Sequence, residues 1–143
     1  MHLPATALPG GLALLQDPAA QAVMAQVFAR RSTSYRQPDD FAPAFVAPTL
    51  LNSWVNLSAP PFNPAGYYRH QEIVYLRGVI ASGVVGSAAF TLPAGFRPAN
   101  NHIFAALSNG AIGRLDVTSA GDVIPTAGSN VYFSLDGISF RAA

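Results

Sequence analysis

The chain reads as mainly β: an antiparallel β-sandwich of jelly-roll type, preceded by an N-terminal α-helix and a proline-rich arm. Three observations carry this reading. Apolar residues recur at steps of three and four as far as Phe28, but at steps of two after Tyr67. The period-two runs are short and separated by Gly, Pro and Asn corners, as in a sandwich. Between the two regimes the composition turns to proline, at Pro38, Pro43, Pro48, Pro60, Pro61 and Pro64. The boundaries that follow are an arm over residues 1–48 and a head domain over residues 49–143.

The helix is expected over "DPAAQAVMAQVFARR". Asp17 caps its first turn, and Pro18 stands where no amide hydrogen is needed. Ala20, Val23, Met24, Val27 and Phe28 form one apolar stripe, and Arg30 and Arg31 sit at the end that the helix dipole favours for cations. A helix of about four turns is marginal alone in water, so the stripe must pack. Its own domain and other copies of the chain are both open as partners. The proline-rich stretch suits an extended, semi-rigid connector, but Phe41, Phe45 and Val46 argue that it packs against something.

A first strand is expected within Leu50 to Leu57, around Trp54. In "EIVYLRGVI" Val74, Leu76, Gly78 and Ile80 share one face, and Ile73, Tyr75, Arg77 and Val79 share the other. Further strands are expected at "SAAFTL", "HIFAAL", "AIGRLDVT", "DVIP" and "VYFSL". In "TLPAGFRP" Pro93 stops pairing, Gly95 permits a reversal with positive φ, and Phe96 is expected to plug an end of the sandwich. Apolar parity switches at Asp136-Gly137, which marks a tight hairpin or a bulge that re-aims the strand. So near the end of the sequence, the bulge is the expected form. No repeat of fixed period supports a propeller or solenoid.

Composition narrows function. Half of the 143 residues are hydrophobic and 10% are charged, against roughly 25% charged in an ordinary soluble chain. A surface so short of charge is expected to be partly covered by other subunits. The formal charge of +1, with dispersed arginines and no lysine, makes nucleic acid a poor partner. With no cysteine there is neither a disulfide framework nor a thiolate metal site. The apolar run "GLALL" is too short for a membrane span and lacks the basic flank of a signal peptide, so neither insertion nor ordinary secretion is expected.

Catalysis is not expected either. A glycosidase needs two carboxylates across a cleft, but Asp116 lies on one strand face with Arg114, an ion-pair arrangement. Asp122 and Asp136 stand in turns, where short carboxylates accept from nearby amides. Glu72 begins a strand beside Arg69 and His70, as a solvated strand end does. His2, His70 and His102 lack ligand spacing, so no metal and no cofactor is expected. No serine stands in a nucleophile elbow, and "SGVVGS" lacks the lysine and helix of a phosphate loop.

The order of several short motifs resembles a known family. These are Trp54, Gly66-Tyr67-Tyr68-Arg69, "IVYLRGVI", "FTLPAGFRP", "GRLDVTSAGDVI" and "VYFSLDGISFR", together covering about Asn52 to Arg141. The sequence is similar here to the small β-sandwich domains at the tips of bacteriophage tail proteins and of related contractile injection particles. The resemblance implies a virion component made in the bacterial cytoplasm, usually a homotrimer, attached to other particle proteins and often contacting a cell-surface glycan. It equally admits a purely structural duty as a tail cap, fibre adaptor or head decoration, because fold does not dictate role. For a glycan the candidate contacts are Tyr67, Tyr68, Asn109, Asn130 and Tyr132, in loops and as aromatics able to stack on sugar. For assembly they are Val23, Met24, Val27 and Phe28 on the helix, with Arg77 and Arg114 on the less apolar strand faces.

Overall fold

Alternation after Tyr67 is realised as a series of short strands. The computed structural model describes residues 43–143; the expected helix, with Val23, Met24, Val27 and Phe28, lies outside the described residues. The strands are β1 (Val55–Asn56), β2 (Gly66–His70), β3 (Ile73–Arg77), β4 (Val79–Ala81), β5 (Phe90–Thr91), β6 (His102–Ser108), β7 (Ala111–Val117), β8 (Asp122–Ala127), β9 (Phe133–Ser134) and β10 (Ser139–Arg141). They form a seven-stranded sheet, in the order β1-β4-β9-β6-β7-β8-β5, and a three-stranded sheet, β10-β3-β2. Among the described residues every pairing of these strands is antiparallel. The mainly β, antiparallel character is therefore as expected, and the strands divide seven to three between the two sheets.

One core serves both sheets. Tyr67, Val74, Leu76 and Phe140 enter it from the small sheet, and Ile80, Phe90, Leu115, Val117, Val123 and Phe133 from the large one. Fully burying an aliphatic or aromatic side chain of this size stabilises by roughly 1.5–3 kcal/mol, so these inward positions hold the sheets together. Phe96 packs against the same core from the corner after β5, edge-on to Tyr67 at 5.2 Å. Gly95 has φ +90, the reversal its place in the sequence suggested.

Two features differ from the sequence reading. The run "EIVYLRGVI" is two strands in different sheets, β3 in the small one and β4 in the large one, parted at Gly78. Its period-two pattern continues unbroken because both strands turn one face to the same core. Gly66–His70 forms β2, which alternation did not suggest because Tyr67 and Tyr68 place aromatics on both faces.

The same two chain segments cross between the sheets together. β3 pairs with β10 in the small sheet, and β4 pairs with β9 in the large one. Tyr75 faces Ser139 but Val79 faces Ser134, so four steps along one segment match five along the other. That extra residue is a bulge at Asp136-Gly137, and it turns the corner. Gly78 has φ +106, and its amide donates to Asp136 Oδ1 at 2.8 Å. A Cβ on Gly78 would lie 2.6 Å from the backbone of Ala65, so no other residue fits there without displacing the chain.

Candidate functional site

The structure brings three of the five candidate ligand residues, Asn109, Asn130 and Tyr132, to one end of the large sheet. The β6–β7 turn holds Asn109 at φ 48 and Gly110 at φ 77, the pair of positive angles that a two-residue hairpin turn of type I′ requires. The Gly110 amide donates to the Tyr132 phenolic oxygen at 2.8 Å. Beneath them the buried Ser108 hydroxyl donates to the Ser129 carbonyl at 3.0 Å and accepts from the Ser129 amide at 2.7 Å. The Asn130 side-chain amide donates to the Gly83 carbonyl at 3.0 Å, and its own carbonyl accepts from the Ser82 amide at 2.7 Å. Asn130 thus braces loops, while Asn109 stands exposed at the tip.

Tyr67 and Tyr68 lie elsewhere. Tyr67 is 8% exposed and packs on Phe90 and Phe96, so most of its surface belongs to the core, and it also lines a cavity of about 340 Å³ with Pro48, Leu51, Pro93 and Arg97. Tyr68 is on the outer face of the small sheet, stacked on its cross-strand neighbour Tyr75 at 4.9 Å and meeting the edge of Phe45 at 4.5 Å. Arg77 joins that cluster, its guanidinium carbon 3.9 Å from the Phe45 ring centre. Arg114 is on the large sheet instead, doubly bonded to Asp116 at 2.7 and 2.9 Å. That hydrogen bond, and then the carboxylate's charge, raise the pKa of the Arg114 guanidinium. The two arginines therefore do not share a face.

Beside Tyr132 the outer face of the large sheet carries a cavity of about 320 Å³. Val79 and Leu107 form its floor, Leu57 and Phe62 its walls, and Tyr132, Ser134 and Asp136 its rim. Leu107 and Phe62 are about half exposed, at 54% and 48%, and Leu107 lies opposite Ile112, which is 84% exposed. Exposed apolar side chains this large, next to a concave apolar surface, mark a binding surface more than a solvated one. Asp136 supplies the negative charge. Among the described residues the ion pairs are Arg114–Asp116 and Arg141–Glu72, and Asp136 is in neither.

Sequence reasoning did not find this cavity. Leu57 ends the segment where a first strand is expected, Leu107 falls in the expected strand "HIFAAL" and Asp136 at the expected bulge, and none of these is a candidate site residue. The available signal was that "HIFAAL" is apolar at both parities, which leaves one apolar face without a core to enter. A cleft of about 530 Å³ of mixed polarity, lined by Asn100, Asn101, His102 and Arg141 together with Ala99, Ala142 and Ala143, opens at the other end of β6. Among the described residues no three His, Asp or Glu side chains gather as a metal site would need.

The sequence matches no family model and no curated protein. Among solved structures the chain is similar to the receptor binding protein gp15 of Listeria phage PSA, with a TM-score of 0.67. That likeness covers 90% of this chain and 81% of the other, at 18% sequence identity. At so low an identity the shared property is the fold, and it agrees with the resemblance to tail-tip domains read from the motifs. The chain carries the fold of a phage receptor binding protein.

Proposed function

We propose that the chain is a virion tail component that binds a glycan on the host cell surface. The observation that carries this is the fold shared with a phage receptor binding protein over nine-tenths of the chain. The end of the large sheet supports it, because an exposed hairpin tip and an apolar cavity with a polar rim stand side by side there. In this reading the protein works by recognition alone and performs no reaction. It assembles as a homotrimer, with the apolar residues Val23, Met24, Val27 and Phe28 of its N-terminal segment packing against other copies or other particle proteins.

The test is binding of fluorescently labelled protein to intact cells of candidate bacterial hosts and to the same cells stripped of surface glycan. Saturable binding that is lost on stripping is the expected result. No binding by a protein shown to be oligomeric would move the assignment to a structural particle component such as a cap, an adaptor or a decoration protein. A monomer at micromolar concentration in analytical ultracentrifugation would remove the trimer.

A further inference from the structure

The cavity beside Tyr132 has a chemistry more specific than glycan binding in general. Its floor and walls are aliphatic and aromatic, from Leu57, Phe62, Val79 and Leu107. Its volume of about 320 Å³ is near the small end of the range for small-molecule sites, about 300–1,000 Å³. That suits one ring and a substituent, and is too small for a run of residues.

The rim offers both halves of a hydrogen-bond exchange with hydroxyl groups. Tyr132 Oη already accepts from the Gly110 amide, and Ser134 Oγ accepts from the Asp136 amide at 3.2 Å. Each hydroxyl therefore keeps its hydrogen to donate outward. Asp136 Oδ1 accepts from Gly78, which orients the carboxylate and leaves its second oxygen to accept. Among the described residues that carboxylate is in no ion pair, so an anionic group placed beside it meets like-charge repulsion.

We propose that this cavity takes a single non-acidic saccharide residue through a methyl-bearing substituent, as in an N-acetyl or 6-deoxy sugar. The methyl enters between Phe62 and Leu107, the ring hydroxyls meet Tyr132 and Ser134, and Asp136 accepts from a hydroxyl or amide N–H. The carboxylate makes the site reject acidic sugars. The proposal rests on the receptor-binding reading for its biological setting but concerns the cavity's chemistry, which is measured separately.

The experiment uses the full chain and four probes: the methyl glycosides of N-acetylglucosamine, fucose, glucose and glucuronic acid. Their affinities are read by ligand-observed NMR titration. Burial of one methyl group corresponds to about a fourfold gain in affinity. N-acetylglucosamine or fucose is therefore expected to bind about fourfold or more tightly than glucose, with glucuronic acid weakest. Phe62→Ala and Leu107→Gln, both at half-exposed positions, should remove the preference for the methyl. Asp136→Asn keeps the oxygen that accepts from Gly78, and should selectively restore binding of glucuronic acid.

Equal binding of glucose and the methyl-bearing sugars, or an acid penalty unchanged in Asp136→Asn, would overturn the proposal. So would Leu107→Gln altering sedimentation while leaving sugar binding intact, since the cavity would then be a contact between copies. Glycan-dependent cell binding that all three variants retain would sink this site and leave the receptor-binding reading standing. Cells left unbound by a protein that sorts the four sugars as expected would do the reverse.

Discussion

The outer faces of both sheets carry apolar side chains, and among the described residues those of the small sheet are the better covered. On the small sheet Phe45 lies against Tyr68 and under Arg77, Tyr68 stacks on Tyr75, and Val46 pairs with Tyr67 through backbone hydrogen bonds of 2.7 and 3.0 Å. On the large sheet Ile103, Leu107 and Ile112 remain 66%, 54% and 84% exposed. A polypeptide with so few charges does not leave one face open for want of apolar side chains to cover it. Under the proposed recognition role, the difference separates a face completed for stability from a face kept for another molecule.

The largest expected effect comes from breaking the corner that joins the two faces. Gly78→Ala puts a Cβ against the Ala65 backbone at a positive φ and should cost roughly 3 kcal/mol or more, read as an earlier denaturant midpoint for the whole domain. An intermediate effect is expected from uncovering the small sheet. Phe45→Ala removes both the ring pair and the cation–π contact, a loss of about 1–2 kcal/mol, again from denaturant unfolding. Ile112→Ser on the open face should change stability by no more than about 0.5 kcal/mol. If it costs as much as Phe45→Ala, the two faces are not different in kind.

The fold was legible in the sequence where each strand announced itself by alternation. β6, β7 and β8 were found this way, and the side-by-side placing of Arg114 and Asp116 correctly implied their ion pair. Alternation reports which side of a strand meets the core, however, and carries no information on which sheet the strand joins. Hence Gly78 read as one more inward position when it is the point of transfer between sheets. The adjacent aromatics Tyr67 and Tyr68 defeated parity altogether, because both faces of β2 accept a ring, one in the core and one outside.

The candidate site was less legible for a related reason. Asn109 and Tyr132 were identified by type and turn chemistry, and the structure joins them through Gly110. The cavity, by contrast, assembles Leu57 and Phe62 with Leu107 and Asp136, residues many positions apart in the chain. Only long-range strand pairing brings them together, and no local pattern encodes it.

The hydrogen bond from Gly78 to Asp136 also limits how this surface can diversify. The carboxylate at the cavity rim is at the same time the acceptor that fastens the bulged corner. Phe62, Leu57 and Leu107 line the cavity without such a bond, free to change its shape and so, in the proposal above, to alter which group is admitted. The sign of the charge is not free in that way: a basic residue at 136 would forfeit the corner, and asparagine is the exchange that keeps the acceptor. Variation among descendants of this chain should therefore tune size at the walls readily and polarity at the rim hardly at all.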